Sequence, residues 1–478
     1  PDQESPYMLL VAPIRQEWRR PLSREEESTK GIEKLRIERS AIPAVTHVDY
    51  SARVQTVDPD RNQMYRLLLE TFYRKTGSPV LVNTSFNLSW DPIVCTPQDA
   101  YRTFMSSDID ALCMGAFLLT KASQPSWVTE DAGRIFGDVT RSPCCEALLD
   151  AGNDVLRCLE CGHEFSVEEG IPRLFWPHEG IGRDEDVTEI VKAFYEENPF
   201  PNYNENESVR SLIERSRIGM YAKKLNDAIP YNSTVLEVGC GTGQLSNFLG
   251  VGCRRVVGTD LCLNSLRLGE RFRKEHGLSR VRFYQMNLFK PSFARESFDV
   301  ILCNGVLHHT ADPFCGFRGL VPLLRPGGYF VVGLYNRYGR YATDLRRVAF
   351  RLVGPRARWL DPYLRSDRIS EAKRSAMFAD QYQHPHESKH TMGEVLKWFE
   401  RCGLEYTTGV PALTFPVPPL EERDLFDPTP RGSVLDRFLI QLVQIGSGIR
   451  EGGFFIMIGR KPPTGEPGKQ GREDLPWR

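Results

Sequence analysis

An apolar run, Thr234-Val-Leu-Glu-Val238, enters a turn holding Gly239, Gly241 and Gly243 and leaves it in a helix that begins at Gln244. This passage constrains the fold more than any other feature. Glycine reaches positive φ without steric cost, so the chain can turn sharply and approach a ligand that a Cβ would hold away. Seventeen residues past Gly243, a second apolar strand, Arg255-Val-Val-Gly-Thr, ends in Asp260. A carboxylate at that tip can accept both ribose hydroxyls of an adenosine ligand. The spacing is Gly-x-Gly-x-Gly with Glu237 two residues upstream. That differs from the dinucleotide form, because Gln244 leaves no pyrophosphate-type third glycine. From about residue 185 onward, apolar strands alternate with amphipathic helices, the pattern of a parallel sheet wound on both faces.

Composition narrows what surrounds this unit. A chain of 478 residues is expected to hold two to four domains. Its 61 Lys and Arg against 62 Asp and Glu leave a net charge of -1. That balance gives no whole-chain attraction to nucleic acid, which is the less favoured partner, or to an anionic membrane. The apolar runs are too short to span a bilayer and no signal peptide opens the chain, so no membrane partner is expected. The 12 Cys are scattered except at 144–161, which reads as reduced thiols in a cytoplasmic protein plus a metal site. The first residue is Pro, and the chain reads as cut from something longer.

The turn motif continues in order. Tyr284-Gln-Met-Asn-Leu288 closes a third strand, Ser297 to His309 holds a fourth, and Leu324-Arg-Pro-Gly-Gly-Tyr-Phe-Val-Val-Gly333 turns into a fifth. Together these motifs resemble a class I S-adenosylmethionine-dependent methyltransferase over roughly residues 190 to 461. The resemblance implies an α/β fold with a Rossmann-like sheet, and S-adenosylmethionine as cofactor. It places Glu237, Gly239, Cys240, Gly241 and Gly243 around the methionine part of the ligand. Asp260, with Leu261 beside it, would hold the ribose, Asn287 and Leu288 the adenine edge, and Asn304 the far wall. The family more often has Asp where Asn287 stands, and an Asn carbonyl can still accept the adenine amino proton. The expected reaction is methyl transfer to a small-molecule acceptor of secondary-metabolite or sugar-like kind. Carbamoyl transfer, an RNA-directed methyltransferase and an RNA-binding platform are the alternatives.

Methyl transfer asks the protein mainly for alignment and, with an oxygen or nitrogen acceptor, for a base. His308 and His309, just past the fourth strand, are the candidates; the other reading is that they pack or bond the backbone. His386-Glu-Ser-Lys-His390 matches the zinc-protease string His-Glu-x-x-His, which works only on a helix. Pro385 precedes it and Thr391-Met-Gly-Glu394 reads as a capping box, so the segment is a loop and no protease is expected. That loop either faces substrate, through His384, His386 and Glu387 together with Tyr335, or is a solvated polar loop. Insertions are expected at 336–390 and 411–452. The first holds nine Arg against three Asp between Arg337 and Arg368, either to receive an anionic substrate or RNA, or as the wet face of a lid. The second contains an apolar helix, Val434 to Val443, suited to a lid or a dimer contact. Phe454-Phe-Ile-Met-Ile-Gly459 should be a last, antiparallel strand, followed by a disordered tail at 462–478.

Cys145 is followed after twelve residues by Cys158-x-x-Cys161, with Cys144 and His163 adjacent. Two-residue spacing lets both thiolates of a knuckle meet one tetrahedral Zn²⁺. With Gly170-Ile-Pro-Arg-Leu174, residues 141–177 resemble the short zinc ribbon that precedes many methyltransferases. Ser142 stands where that family has its first Cys, so Cys144 or His163 would have to replace it. Zinc on Cys144, Cys145, Cys158 and Cys161 is one reading; a ribbon that has lost its metal is the other.

The amino-terminal block is mixed α/β, with strand-like runs at Tyr7–Ile14, Val45–Val48 and Val80–Asn83 and a helix from Arg61 to Lys75. Ser5-Pro-Tyr-Met-Leu9, Ile42 to Asp49, Ala52 to Thr56, Leu81 to Asn87 and Pro92 to Pro97 resemble the carboxyl-terminal, YrdC-like part of nodulation-type O-carbamoyltransferases. By that resemblance 1–123 is a truncated α/β YrdC-like domain, and His47, Arg53, Asn83, Ser85 and Asn87 would line its nucleotide pocket. Tyr50-Ser51 and Trp90-Asp91 depart from the family pattern, and the expected reading is an inactive remnant. Its partner would be a missing carbamoyltransferase amino-terminal part; a homodimer is the other protein partner considered. Residues 124–140 read as a linker, and 178–461 as the methyltransferase domain.

Overall fold

The computed structural model describes residues 3–463 apart from 79, 88–92, 106, 108, 125–136, 138, 153, 179–186, 200–207, 219, 231–232, 253, 355–359, 362–363, 366–370, 421–422 and 452. The tail expected beyond 463 and most of the expected linker lie outside the described residues. The chain divides into two compact units, 1–86 and 87–478.

In the first unit β1 (Leu10–Pro13) pairs antiparallel with β2 (Ser51–Val54). Asn62 caps the helix Gln63–Thr76 by accepting from Tyr65 N, and Gly77 ends it at φ 75°. The strand expected at Val45–Val48 is not formed. Pro43 opens a 3₁₀ turn instead, closed by Thr46 N donating to Pro43 O. Val80–Asn83 forms no strand. His47, Arg53, Asn83 and Ser85 are all exposed. Three of them are bonded locally: His47 Nδ1 to Ser51 Oγ, Arg53 Nε to Met8 O, and Asn83 Nδ2 to Gln55 Oε1. Asn87 falls in the second unit.

In the second unit a helix, Pro97–Met105, precedes the hairpin of β3 (Ala111–Met114) and β4 (Phe117–Thr120). Then come β5 (Leu149–Ala151), β6 (Val155–Cys158), β7 (Glu164–Glu168), β8 (Ile171–Leu174), β9 (Thr234–Val238), β10 (Arg255–Asp260), β11 (Val281–Met286), β12 (Phe298–Asn304), β13 (Leu324–Tyr335), β14 (Glu405–Val410) and β15 (Phe454–Arg460). They form one sheet in the order β14-β15-β13-β12-β9-β10-β11-β8-β7-β6-β5. Strands β9 to β13 are parallel neighbours and β15 runs antiparallel, as expected. Because helices cover both faces, the middles of the central strands are largely apolar on both sides. Leu236, Ile301, Phe317 and Phe399 fill one face, and Val235, Val256, Leu266 and Phe283 the other. The strand order reverses beside β9, which opens a crevice at the carboxyl ends of β9 and β12.

The ribbon is not a bead ahead of this domain. Strand β8 pairs in parallel with β11, Gln285 opposite Arg173 and Met286 opposite Leu174, and Cys158 and Phe165 join the core of Leu236 and Phe317. The last residues of the expected linker are also built in: Ala294 N donates to Val139 O, and Thr140 bridges Phe293. In the insertions, helices span Tyr341–Val353, Glu371–Phe378 and Val434–Glu451. The last runs past the expected Val443 because Gln444 turns inward and is buried. No helix among the described residues is long and apolar enough to cross a membrane.

Candidate functional site

Gly239, Gly241 and Gly243 take φ of 68°, 54° and 70°. A Cβ on Gly239 would lie 2.2 Å from Val306 Cγ2, and one on Gly243 2.4 Å from the Phe283 ring. The third glycine therefore serves packing rather than a ligand. Thr259 O accepts from Gly239 N (2.7 Å) and Cys240 N (3.0 Å), which ties the turn to β10. Asp260 is held at the tip of that strand by Gly241 N on Oδ2 (2.8 Å) and Cys262 N on Oδ1 (2.9 Å). Each oxygen keeps a lone pair. Burial pushes the Asp260 carboxyl up, against the pull of those N–H groups. Burial also lifts Glu237 to about 7, although Ser246 Oγ–H donates to it.

These groups line a cavity of about 500 Å³ with Cys240, Leu261, Asn287, Leu288 and Asn304. Of the expected cofactor residues only Gly243 stands outside it. Asn304 Nδ2 donates to Tyr221 Oη (3.1 Å), while its buried Oδ1 has no partner among the described residues. Asn287 Oδ1 accepts from Phe289 N (3.1 Å), and Nδ2 donates to Trp176 O (2.9 Å) and faces His178 Nδ1 (3.1 Å). An Asp there would turn an oxygen toward the Trp176 carbonyl, so the ribbon's exit segment accounts for Asn.

Of the two histidines, only His309 lines the cavity. Its Nδ1 lies 2.8 Å from His386 O. A carbonyl can only accept, so Nδ1 carries the proton and Nε2 is the basic nitrogen. Burial pushes its pKa down to about 4, leaving it neutral at pH 7. His308 is fully buried, with its ring 4.1 Å from that of Tyr335 and neither nitrogen bonded among the described residues. It packs, and of the two expected candidates only His309 faces the cavity.

The opposite wall was not anticipated as a group. Tyr195 Oη donates to Asp380 Oδ1 (2.8 Å), and Gln381 Nε2 donates to Asp380 Oδ2 (2.9 Å) and to Tyr335 Oη (2.9 Å). Tyr195, Tyr335, Asp380 and Gln381 all line the cavity, whereas His384, His386 and Glu387 do not. The His384 ring stacks behind, 3.7 Å from that of His309, with burial holding its pKa at about 3.

The Arg-rich insertion and the His-Glu-x-x-His loop answer each other. Glu387 accepts from Arg340 Nη2 (2.5 Å) and Arg347 Nη2 (2.6 Å), and Arg340 is 0% exposed. These two guanidiniums are committed to Glu387 and to Gln381, and so is the Glu387 carboxylate to them. Ser388 N donates to His308 O and His390 N to Tyr335 O, so the loop is held in extended contact at the carboxyl end of β13 rather than as a helix. Burial opposes ionisation of Glu387, but the two arginines prevail and hold its pKa at about 2. Removing it would strand Arg340 uncompensated, so Glu387→Ala should cost about 3–5 kcal/mol in denaturant unfolding at pH 7. The carboxyl's ordinary value is 4.5. Its contribution is thus complete above that pH and disappears as pH falls toward 2. A wild-type-like midpoint for the variant would show that the pair holds nothing.

In the ribbon, the Sγ atoms of Cys144, Cys145, Cys158 and Cys161 all lie within 4.8 Å of one another. Four thiolates about 2.3 Å from one zinc stand roughly 3.8 Å apart, so this set needs little movement to close on the metal. Ser142 Oγ lies beneath, accepting from Ala147 N and from the Cys158 thiol. His163 packs its ring on Phe165 (4.7 Å) and Trp176 (5.0 Å), and it is Cys144 that lies with the other three thiols.

Residues 1–121 match a family model described as the carbamoyltransferase C-terminus, and residues 236–332 one described as a methyltransferase domain. An uncharacterized protein of Synechocystis is 56% identical over 124 residues, 26% of this chain and 20% of that one. Nodulation protein NolNO of Sinorhizobium fredii is 38% identical over 127 residues, 26% of this chain and 16% of that one. The ubiquinone biosynthesis O-methyltransferase of Leptothrix cholodnii is 31% identical over 106 residues, 22% of this chain and 44% of that one. The chain thus spans less than half the length of each of these relatives.

Proposed function

We propose that this chain, a carbamoyltransferase carboxyl-terminal segment joined to a class I methyltransferase domain, transfers a methyl group from S-adenosylmethionine to a small-molecule acceptor. The observation that carries the reading is Asn304 Oδ1, a buried acceptor without a partner among the described residues, in the same cavity wall as Asp260. The cofactor's ammonium would complete it, its ribose would bond the two free lone pairs of Asp260, and its adenine would lie between Leu261 and Leu288 with its amino group on Asn287 Oδ1. A positively charged ligand would also draw Glu237 back to its ionised form. When bound, the cofactor supplies an electrophilic methyl group.

The chain's own part is alignment and proton removal. Asp380, with one donor on each oxygen, can accept an acceptor hydroxyl and orient it, and His309 Nε2 can take its proton. The relative named as an O-methyltransferase favours oxygen as the acceptor atom. The four thiols of the ribbon are read as a structural zinc site. Two measurements test the function. Labelled S-adenosylmethionine incubated with the protein and a metabolite extract should mark a small molecule. On that acceptor His309→Ala should lower kcat by about 10²–10⁴-fold, with cofactor affinity unchanged. Unaltered turnover would remove His309 as base. No detectable cofactor binding by the full chain would remove the function.

A further inference from the structure

Two helices of the insertions, Tyr341–Val353 and Val434–Glu451, pack against each other and turn apolar residues outward. On the first, Tyr341, Leu345, Val348 and Leu352 are exposed at spacings of four, three and four, on the side opposite buried Thr343 and Phe350. On the second, Leu435, Phe438 and Leu442 repeat the spacing, opposite buried Ile440 and Gln444. Exposure is large: Leu352 is 81% accessible and Leu435 64%. Such spacing is the seam of helices that pack side by side, each knob entering a hole between four residues of a facing helix.

We propose that this face is the dimer interface, and that its occupant is the same face of a second copy. Area argues for it. At their exposures these side chains present roughly 700 Å² of apolar surface, above the largest patch of a typical monomer and close to the ~800 Å² each partner contributes to a stable complex. Charge argues against a membrane instead. A helix that lies on lipid carries its cations outward around the apolar stripe. Here Arg346 and Arg347 point inward, to Asp361 and Glu387. On the second helix Asp436 and Arg437 offset each other. Arg351 is the exposed cation of the first helix, and a stripe so sparsely charged can meet its own copy about a two-fold axis with little repulsion. The partner would also brace the cavity wall, since Arg347 donates to the backbone carbonyl of Gln381 (2.7 Å).

Analytical ultracentrifugation of the full chain tests this. A dimer is expected at micromolar concentration, with association at least about a hundredfold weaker in Leu345→Glu/Leu442→Glu, which sets carboxylates against each other across the seam. Calorimetry with S-adenosylmethionine verifies that the variant is folded. Should it not be, Leu352→Arg at the most exposed position reads the same equilibrium. A wild-type monomer at ~100 µM, a dimer that persists in the variants, or a monomer that binds phosphatidylglycerol vesicles through this face would each overturn the proposal.

Discussion

Asp260→Ala is expected to weaken S-adenosylmethionine binding by about ten- to a hundredfold in calorimetry. A hydrogen bond to a charged group is worth roughly 1.5–3 kcal/mol, and the carboxylate is positioned to make two. It also anchors Gly241 N and Cys262 N, so its loss loosens the turn that shapes the pocket. Asp260→Asn should be little better, because an amide would point its own N–H at one of those donors. His386→Ala is the control. Its part in the site is a backbone carbonyl on His309, which the substitution keeps, so cofactor affinity should stay within twofold or so. Equal binding by wild type and Asp260→Ala would sink the methyltransferase reading.

The second large effect concerns metal. Freshly purified protein should carry close to one zinc per chain, and Cys158→Ser/Cys161→Ser should carry none. Because β8 continues the main sheet and Cys158 belongs to its core, the loss should spread beyond the ribbon. A cost of about 2–3 kcal/mol would lower Tm by roughly 2–4 °C for a unit of this size. Metal analysis that finds no zinc in untreated protein, or an unchanged Tm in the double variant, would leave the four thiols as packing alone.

How much of this was legible depended on distance along the chain. The strand, glycine turn and Asp260 lie within one βαβ passage, where spacing alone fixes geometry, and there sequence and structure agree. The knuckle Cys158-x-x-Cys161 was readable for the same reason. Its completion by two consecutive cysteines was left open, because nothing local tells Cys144 from His163 until Phe165 and Trp176 claim the imidazole ring. The acceptor wall was harder. Tyr195 and Asp380 are 185 residues apart and neither sits in a periodic pattern that marks it. Asp380 stood in a polar string beside the cleft, yet only the fold of the insertion selects it over His384, His386 and Glu387. The arginines misled for a related reason. A count of positive charge says nothing of whether a buried Glu387 has already taken two of them. Strands failed where proline chemistry overrode β-branched composition, as at Pro43.

The junction of β8 with β11 has a thermodynamic corollary. The segment leaving the ribbon grips Asn287 through Trp176 O and His178, and Arg173 reaches Gln285 (3.3 Å), whose amide in turn donates to Leu261 O (2.9 Å). The thiol cluster and the cavity wall at Leu261 and Asn287 are therefore linked by one hydrogen-bonded stretch. If zinc in the knuckle tightens the cofactor by some factor, the cofactor must tighten zinc by the same factor, since the free energy of the doubly liganded state does not depend on the order of loading. Scarcity of either ligand would then lower the protein's hold on the other, making the ribbon a gauge of metal supply coupled to the methyl donor.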